Sequence, residues 1–289
     1  VLSTGPDWLI LAHGGGHGVA WSMDIPATVG IALASALYVA GVARLWGRAG
    51  VGRGVRRWQV GCFAAAIAAL IASLISPIDT LSEELLWVHM IQHMLLMLVA
   101  APLIVAGSPG LVAAWAMPRR WRHRLARAWV RLRLREASRW LLWHPILLWI
   151  AFGLVLWVWH VPVLYEAALN YPLIHDLQHL AFFGAACLYW RLMFDPIGRV
   201  RLTPALAVAY LFTTSLHGML LGVLMALSPR VWYGFYEERT AAWGLSAIED
   251  QQVAGFIMWM PVCGVYGIIA VVVLGVWLHR AEARDSLAG

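Results

Sequence analysis

Histidine recurs in this chain at a spacing that suits metal chemistry. His89-Met90-Ile91-Gln92-His93 and His175-Asp176-Leu177-Gln178-His179 are two copies of one His-x-x-Gln-His pattern, and each opens a long apolar run. Residues four apart on a helix share a face, about 6 Å apart along the axis, so each pair can aim two imidazoles at one point. Met97 extends the stripe of His89 and His93 by a further turn, while Met90 and Met94 lie on the adjoining face. Imidazoles with thioethers nearby suit copper, above all Cu(I), and paired histidines take zinc equally well. One such pair on a soluble helix would read as structural. Two pairs at the edge of hydrocarbon, where every imidazole needs a polar partner, point instead to a metal or a cofactor.

Other residues join the candidate set. His160 and His217 fall in further apolar runs, the second beside Met219, and Met258 and Met260 add soft donors near the end of the chain. Gln92, Gln178, Asp176, Asp250 and Gln251 are of the type that orients ligand imidazoles from behind. His160 also sits beside Trp157 and Trp159, as an interfacial belt would have it. His217 follows Thr213-Thr214-Ser215 and could hydrogen-bond between helices. His13 and His17, in a Gly-rich stretch, read as a loop able to collect metal.

The elements that must position these residues follow from composition. With 62% hydrophobic residues, 12% charged and 18 Trp, the chain is an all-α, polytopic membrane protein. Runs approaching the roughly 20 residues of a membrane crossing cover 26–45, 59–75, 85–107, 144–161, 175–194, 204–227 and 253–278, which predicts seven transmembrane helices. Pro102, Gly107 and Pro109 predict that the third ends before Met117.

Charge orients the bundle. Apart from Arg230 and Arg239, the arginines fall in four segments, Arg44 to Arg57, Arg119 to Arg139, Arg191 to Arg201, and Arg280 with Arg284. Acidic residues such as Asp24, Asp79, Glu83, Glu84, Glu166, Asp176, Glu249 and Asp250 occupy the alternate connections. The positive-inside rule then puts the N-terminus outside and the C-terminus in the cytoplasm. The expected organisation is an external segment 1–25, a membrane domain 26–278 and a cytoplasmic tail 279–289. Within 119–139, Trp121, Leu125, Trp129 and Leu132 recur at helical spacing among arginines, the pattern of a helix lying on an anionic inner leaflet. The net charge of +6 is thus matched to lipid, and no nucleic-acid partner is expected. The start of the chain lacks the basic region of a cleavable signal peptide. Cys62, Cys187 and Cys263 stand singly in separate runs and read as packing residues.

A longer repeat surrounds the histidines. Ile75-Ser76-Pro77, His160-Val161-Pro162 and Leu227-Ser228-Pro229 each close an apolar run, and the next run opens on His89, His175, or Glu249-Asp250-Gln251-Gln252. Pro77 to His89 is 12 positions and Pro162 to His175 is 13. The pattern reads as three pseudo-repeated helical hairpins added to a first helix, with a pocket where the copies meet.

The stretch from His89 to Leu103, His160-Val-Pro-x-Leu-Tyr165-Glu-Ala-Ala-Leu169, His175-x-x-x-His179, and Glu249-Asp-Gln-Gln-x-Ala-Gly255 with Met258-Trp259 together resemble the multi-span CtaG family, associated with assembly of caa-type cytochrome c oxidases. The resemblance runs from about Pro77 to Trp277. It implies a non-enzymatic assembly factor of the bacterial cell membrane, working with cytochrome c oxidase subunits and helping to supply copper to the catalytic one. It also implies that His89, His93, His160, His175 and His179, with Asp250 and Gln251, are the family-pattern residues. The expected mechanism is capture of Cu(I) at an outer-leaflet His/Met site, followed by ligand exchange onto the oxidase. Two other readings stay open: a haem-binding redox membrane protein with axial histidines from the repeated pairs, and a copper permease, for which Cys187 and Cys263 are the soft candidates in the inner half. The chain has no Lys, which excludes retinal bound as a Schiff base.

Overall fold

The computed structural model describes residues 21–22, 24–194 and 202–288. His13, His17, Arg199 and Arg201 lie outside the described residues. All regular structure among the described residues is helical.

Prolines open most of the helices. Helix α1 (Ile25–Ala49) has Pro26 in its first turn and Asp24 as its cap, whose carboxylate accepts from the Ala27 N–H at 3.0 Å. A proline there removes an amide hydrogen that the first turn cannot pair, and its fixed φ is already helical. The same device starts α3 (Pro77–Ser82), α6 (Pro109–Ala116), α9 (Pro145–Trp159), α10 (Pro162–Asn170), α11 (Pro172–Phe194) and α12 (Pro204–Leu227). Helix α2 (Arg57–Leu74) and α4 (Leu86–Met94) begin without it, and α13 (Ala247–Ala288) carries Pro261 internally.

Among the described residues, five helices are long and apolar enough to cross a membrane: Ile25–Ala49, Arg57–Leu74, Leu86–Ala106, Pro204–Leu227 and Ala247–Arg280. A sixth is reached if α8 (Leu134–Leu142) and α9, bent by 85° at their junction, count as one. The molecule is therefore an all-helical, multi-span membrane protein with five or six candidate spans, where seven are expected from sequence. Helix α9 alone has 15 residues, about 22 Å at 1.5 Å per residue. Helix α11 has the length, 23 residues, but His175, Asp176, Gln178, His179 and Arg191 dilute its hydropathy. The candidate ligands themselves cost it the composition of a span.

The third span changes pitch. After α4 the chain runs as a π-helix over Leu95–Ala100 and returns to α geometry as α5 (Ala101–Ala106). Pro102 has no N–H for the Leu98 carbonyl and crowds it, so the preceding turn widens. The indole of Trp190 donates to the Met97 carbonyl at 2.8 Å, so α11 supplies a donor to this irregular stretch. Gly107 and Ser108, the latter at φ 52°, end the span, and α6 leaves as a separate short helix.

Close approach holds the bundle together. Helices α12 and α13 meet at Gly222 and Gly255, where a Cβ on Gly222 would stand 2.7 Å from the Gly255 carbonyl oxygen. Small residues that let backbones touch are the usual basis of helix association in lipid, where apolar side chains gain nothing by leaving the tails. Among the described residues Cys62, Cys187 and Cys263 are half-buried free thiols. The basic segment expected as one helix over 119–139 is two, α7 (Arg119–Arg131) and α8, because Arg133 adopts φ 54°. Its apolar side is uncovered, with Trp121, Leu125 and Trp129 each about half exposed.

Candidate metal centre

Hydrogen bonds gather one end of the bundle. The Asp250 carboxylate, from the first turn of α13, accepts from the Leu86 N–H at 2.8 Å and the Trp87 N–H at 3.0 Å. Residue Leu85, at the local cap position of α4, offers no side-chain bond. A buried helix start must have its free N–H groups satisfied from somewhere, and a charge-assisted bond from another helix does it here. Gln92 then clamps the same helix sideways, donating to the Ser73 carbonyl at 2.8 Å and to Asp79 at 2.7 Å.

Held in this way, α4 presents His89 and His93 to α11, which presents His175 and His179, while His160 caps the end of α9. Ring centroids lie 4.4 Å apart for His89 and His93, 4.2 Å for His175 and His179, and 5.3 Å for His89 and His175. His93 is 5.4 Å from His179 and 6.3 Å from His160. His89, His93, His160 and His179 are buried, and His175 is partly so. Phe182 lies 4.7 Å from His93, and Tyr165 lies 5.3 Å from His89 and stacks on Tyr233 at 4.0 Å.

The proton positions follow from the partners. His160 Nδ1 faces the Leu156 carbonyl at 2.7 Å, so it carries the proton and Nε2 keeps its lone pair. Tyr236 donates its hydroxyl to the Ser82 carbonyl at 2.9 Å and stands 3.0 Å from His89 Nδ1, so it accepts from that nitrogen. His89 Nε2 is then the acceptor for His93 Nε2–H at 3.0 Å. Four further ring nitrogens, His93 Nδ1, His160 Nε2, His175 Nε2 and His179 Nε2, are buried with no hydrogen-bond partner among the described residues. Leaving one buried polar atom unsatisfied costs about 1–3 kcal/mol, and four in one cluster fit a bound cation that imidazoles ligate. His89, His175 and His179 offer ligand atoms that all lie within 4.8 Å of one another. A tetrahedral ion with bonds of about 2.0–2.1 Å draws such atoms to about 3.3 Å. The set can close on a metal ion by modest side-chain movement.

The remaining candidates lie elsewhere. His217 is flanked by α9: Trp157 donates its indole N–H to His217 Nδ1 at 3.2 Å, and the Trp149 ring is 4.7 Å away. It is not brought to the other histidines. Met97 borders a small cavity with Met94 and Met258. The amides and acids expected to orient imidazoles do other things: Gln92 and Asp250 hold α4 as described, and Gln251 accepts from the Trp232 N–H at 2.6 Å and donates to the Met225 and Arg230 carbonyls. Most of their bonds go to backbone groups at helix ends or in the loop after α12. Gln178 is buried with both amide atoms unpartnered among the described residues, and Asp176 is exposed. Among the described residues, the cluster imidazoles hydrogen-bond to Tyr236 and the Leu156 carbonyl. Tyr233, which donates to the His160 carbonyl at 3.0 Å, completes the support. Both tyrosines come from the loop before α13, where no spacing marks them out. Beside the cluster, a cavity of about 740 Å³ lined by Asp24, Asp176, His179 and apolar side chains including Phe183 runs along α1 and α2.

A model of the cytochrome c oxidase caa3 assembly factor family (Caa3_CtaG) matches residues 36–280. The chain belongs to this family. Assembly factors of the CtaG type are not catalytic enzymes, and the polar core described above is all within the matched CtaG region. A relative from Mycobacterium bovis, described as an uncharacterized protein, is 29% identical over 247 residues, 83% of this chain and 36% of that protein. One from Mycobacterium leprae, described likewise, is 26% identical over 264 residues, 86% of this chain and 38% of its own length. The chain thus spans little more than a third of the length of these curated relatives. No solved structure matches it at a significant level.

Proposed function

We propose that this CtaG-family chain holds copper as Cu(I) in the histidine cluster and helps deliver it to the catalytic subunit of cytochrome c oxidase. The observation that carries the reading is the meeting of five imidazoles from three helices, with four buried ring nitrogens unpartnered among the described residues. Neutral nitrogen donors in an apolar surround suit a soft monovalent ion, whose charge is the least costly to bury. Copper here is cargo: it is taken up and released by exchange of ligands, with no bond of a substrate made or broken.

In the membrane we read seven crossings, with α9 and α11 completing the set of five apolar helices. The N-terminal segment 1–25 lies outside, the tail 279–289 in the cytoplasm, and α1 precedes three hairpins. The acidic connections and the histidines then share the external or periplasmic face of a bacterial cell membrane. Helices α7 and α8 lie on the anionic inner leaflet through their arginines and exposed tryptophans. The cavity along α1 and α2 gives the cluster a lateral exit, the direction from which an oxidase subunit in the same membrane would accept the ion.

The test is made in cells. Replacing His89→Ala together with His93→Ala should lower the copper content of the assembled oxidase while leaving the amount of this protein in the membrane unchanged. Unchanged oxidase copper would defeat the proposal. An optical spectrum of the purified protein distinguishes the haem alternative, which requires a Soret band.

A further inference from the structure

Next to the histidines, three methionines border a small space. Met94 and Met97 from the third span and Met258 from α13 line a cavity of about 20 Å³, with Phe152, Leu156 and Thr214 among the other residues of its wall. The three methionines are 6%, 4% and 0% exposed, so the cavity lies in the interior. Its volume admits one atom-sized guest, since about 10–15 Å³ is enough for a single water.

The choice of residue is what needs explaining. Methionine is the flexible gap-filler of protein interiors, able to swing its thioether into irregular space. Three of them border one cavity that they do not close. The remaining lining offers no carboxylate or imidazole, and the Thr214 hydroxyl is turned to the Tyr210 carbonyl at 2.7 Å. A hard cation such as magnesium or calcium would find no anionic oxygen there, whereas uncharged thioethers select soft monovalent ions. Met97 follows His93 by four residues and Leu156 precedes His160 by four, which sets the cavity directly against the cluster.

We infer that Met94, Met97 and Met258 form a second, all-thioether site for a soft monovalent ion, Cu(I) or its analogue Ag(I), separate from the histidine cluster. The site has its own ligands and stands whether or not the histidines bind copper.

The experiment uses the full chain purified in detergent with Cys62, Cys187 and Cys263 replaced by Ala, so that no thiol competes. Ag(I) is titrated against a competing chelator, and X-ray absorption reads the donor atoms. In the further background of His89→Ala, His175→Ala and His179→Ala, Ag(I) should still bind, with sulfur neighbours. Adding Met94→Leu, Met97→Leu and Met258→Leu, which nearly conserve volume, should weaken binding by about tenfold or more, the scale of a lost supporting group at a metal. If the triple variant does not fold, Met258→Leu alone carries the same expectation. Absence of sulfur from the donor shell, or binding unmoved by the leucines, overturns the inference. Loss of a nitrogen shell on histidine replacement reports separately on the first site.

Discussion

Tyr236 stands 3.0 Å from Nδ1 of His89 and gives its own hydroxyl proton to the Ser82 carbonyl, 2.9 Å away. The imidazole must therefore donate at Nδ1, which leaves Nε2 with its lone pair turned toward His93. A loop tyrosine thus fixes which nitrogen of His89 can bind a metal. Tyr236→Phe removes that partner at little cost in packing. Metal affinity, measured by chelator competition, should fall about 10–100-fold, the usual effect of losing a group that orients a ligand. An unchanged affinity would show that the hydrogen bond does not set the ligand.

Asp250 makes a prediction about stability as well as affinity. It caps α4 across the bundle, so Asp250→Ala leaves the Leu86 and Trp87 N–H groups without their acceptor. Loss of a cap costs about 0.5–2 kcal/mol, and the variant should unfold at lower temperature and bind metal more weakly because His89 and His93 ride on that helix. Asp250→Asn keeps one acceptor oxygen and should recover part of both losses. Equal behaviour of the two variants would contradict the capping role.

Asp79, in the short helix α3 outside the spans, sets a pH dependence. Burial pushes its carboxyl up from 3.8 to about 6, against the opposing effect of hydrogen bonds from Ser22 and Gln92. A raised carboxyl pKa means that the folded state binds the proton more tightly, so its contribution is fully present below about 3.8 and is lost as pH rises through about 6. Thermal stability of the wild type relative to Asp79→Asn should decline over that interval. A difference between the two that stays flat with pH contradicts the assignment.

His217 separates the cluster from a merely histidine-rich membrane interior. Its Nδ1 is the acceptor for the Trp157 indole, so His217→Ala should cost about 1 kcal/mol of stability, the net value of one hydrogen bond, and leave metal binding intact. His160→Ala should weaken metal binding, because its Nε2 is buried without a partner beside His93. The pair of titrations reads the difference directly. Equal effects of the two replacements would mean that the donor set is drawn wrongly.

Much of this arrangement is legible in the sequence because helical periodicity carries it. Four-residue spacing puts His89 with His93 and His175 with His179 on single faces, and apolar runs locate the helices that bear them. What periodicity cannot carry is contact between segments far apart in the chain. The bonds from Asp250 to α4 and from Tyr236 to His89 join residues 164 and 147 positions apart, and no local pattern encodes either. Gln92 and Gln251 illustrate the converse: they fall in the repeated motif, yet their amides bond backbone groups and the Asp79 carboxylate. His217 shows that an apolar context alone does not say which neighbour a histidine meets. The break at Arg133 and the π segment before Pro102 depend on backbone geometry that hydropathy does not register.

In the proposed function the imidazoles of α4 and α11 ligate copper together. Cu(I) titration of the purified full chain, with X-ray absorption at the copper edge, tests it most directly against the variant His89→Ala, His175→Ala, His179→Ala. The wild type should take up copper with nitrogen neighbours, and the variant should lose that nitrogen shell. Wild-type protein that binds no copper above background, or a nitrogen shell that survives all three replacements, would rule out copper held by these imidazoles.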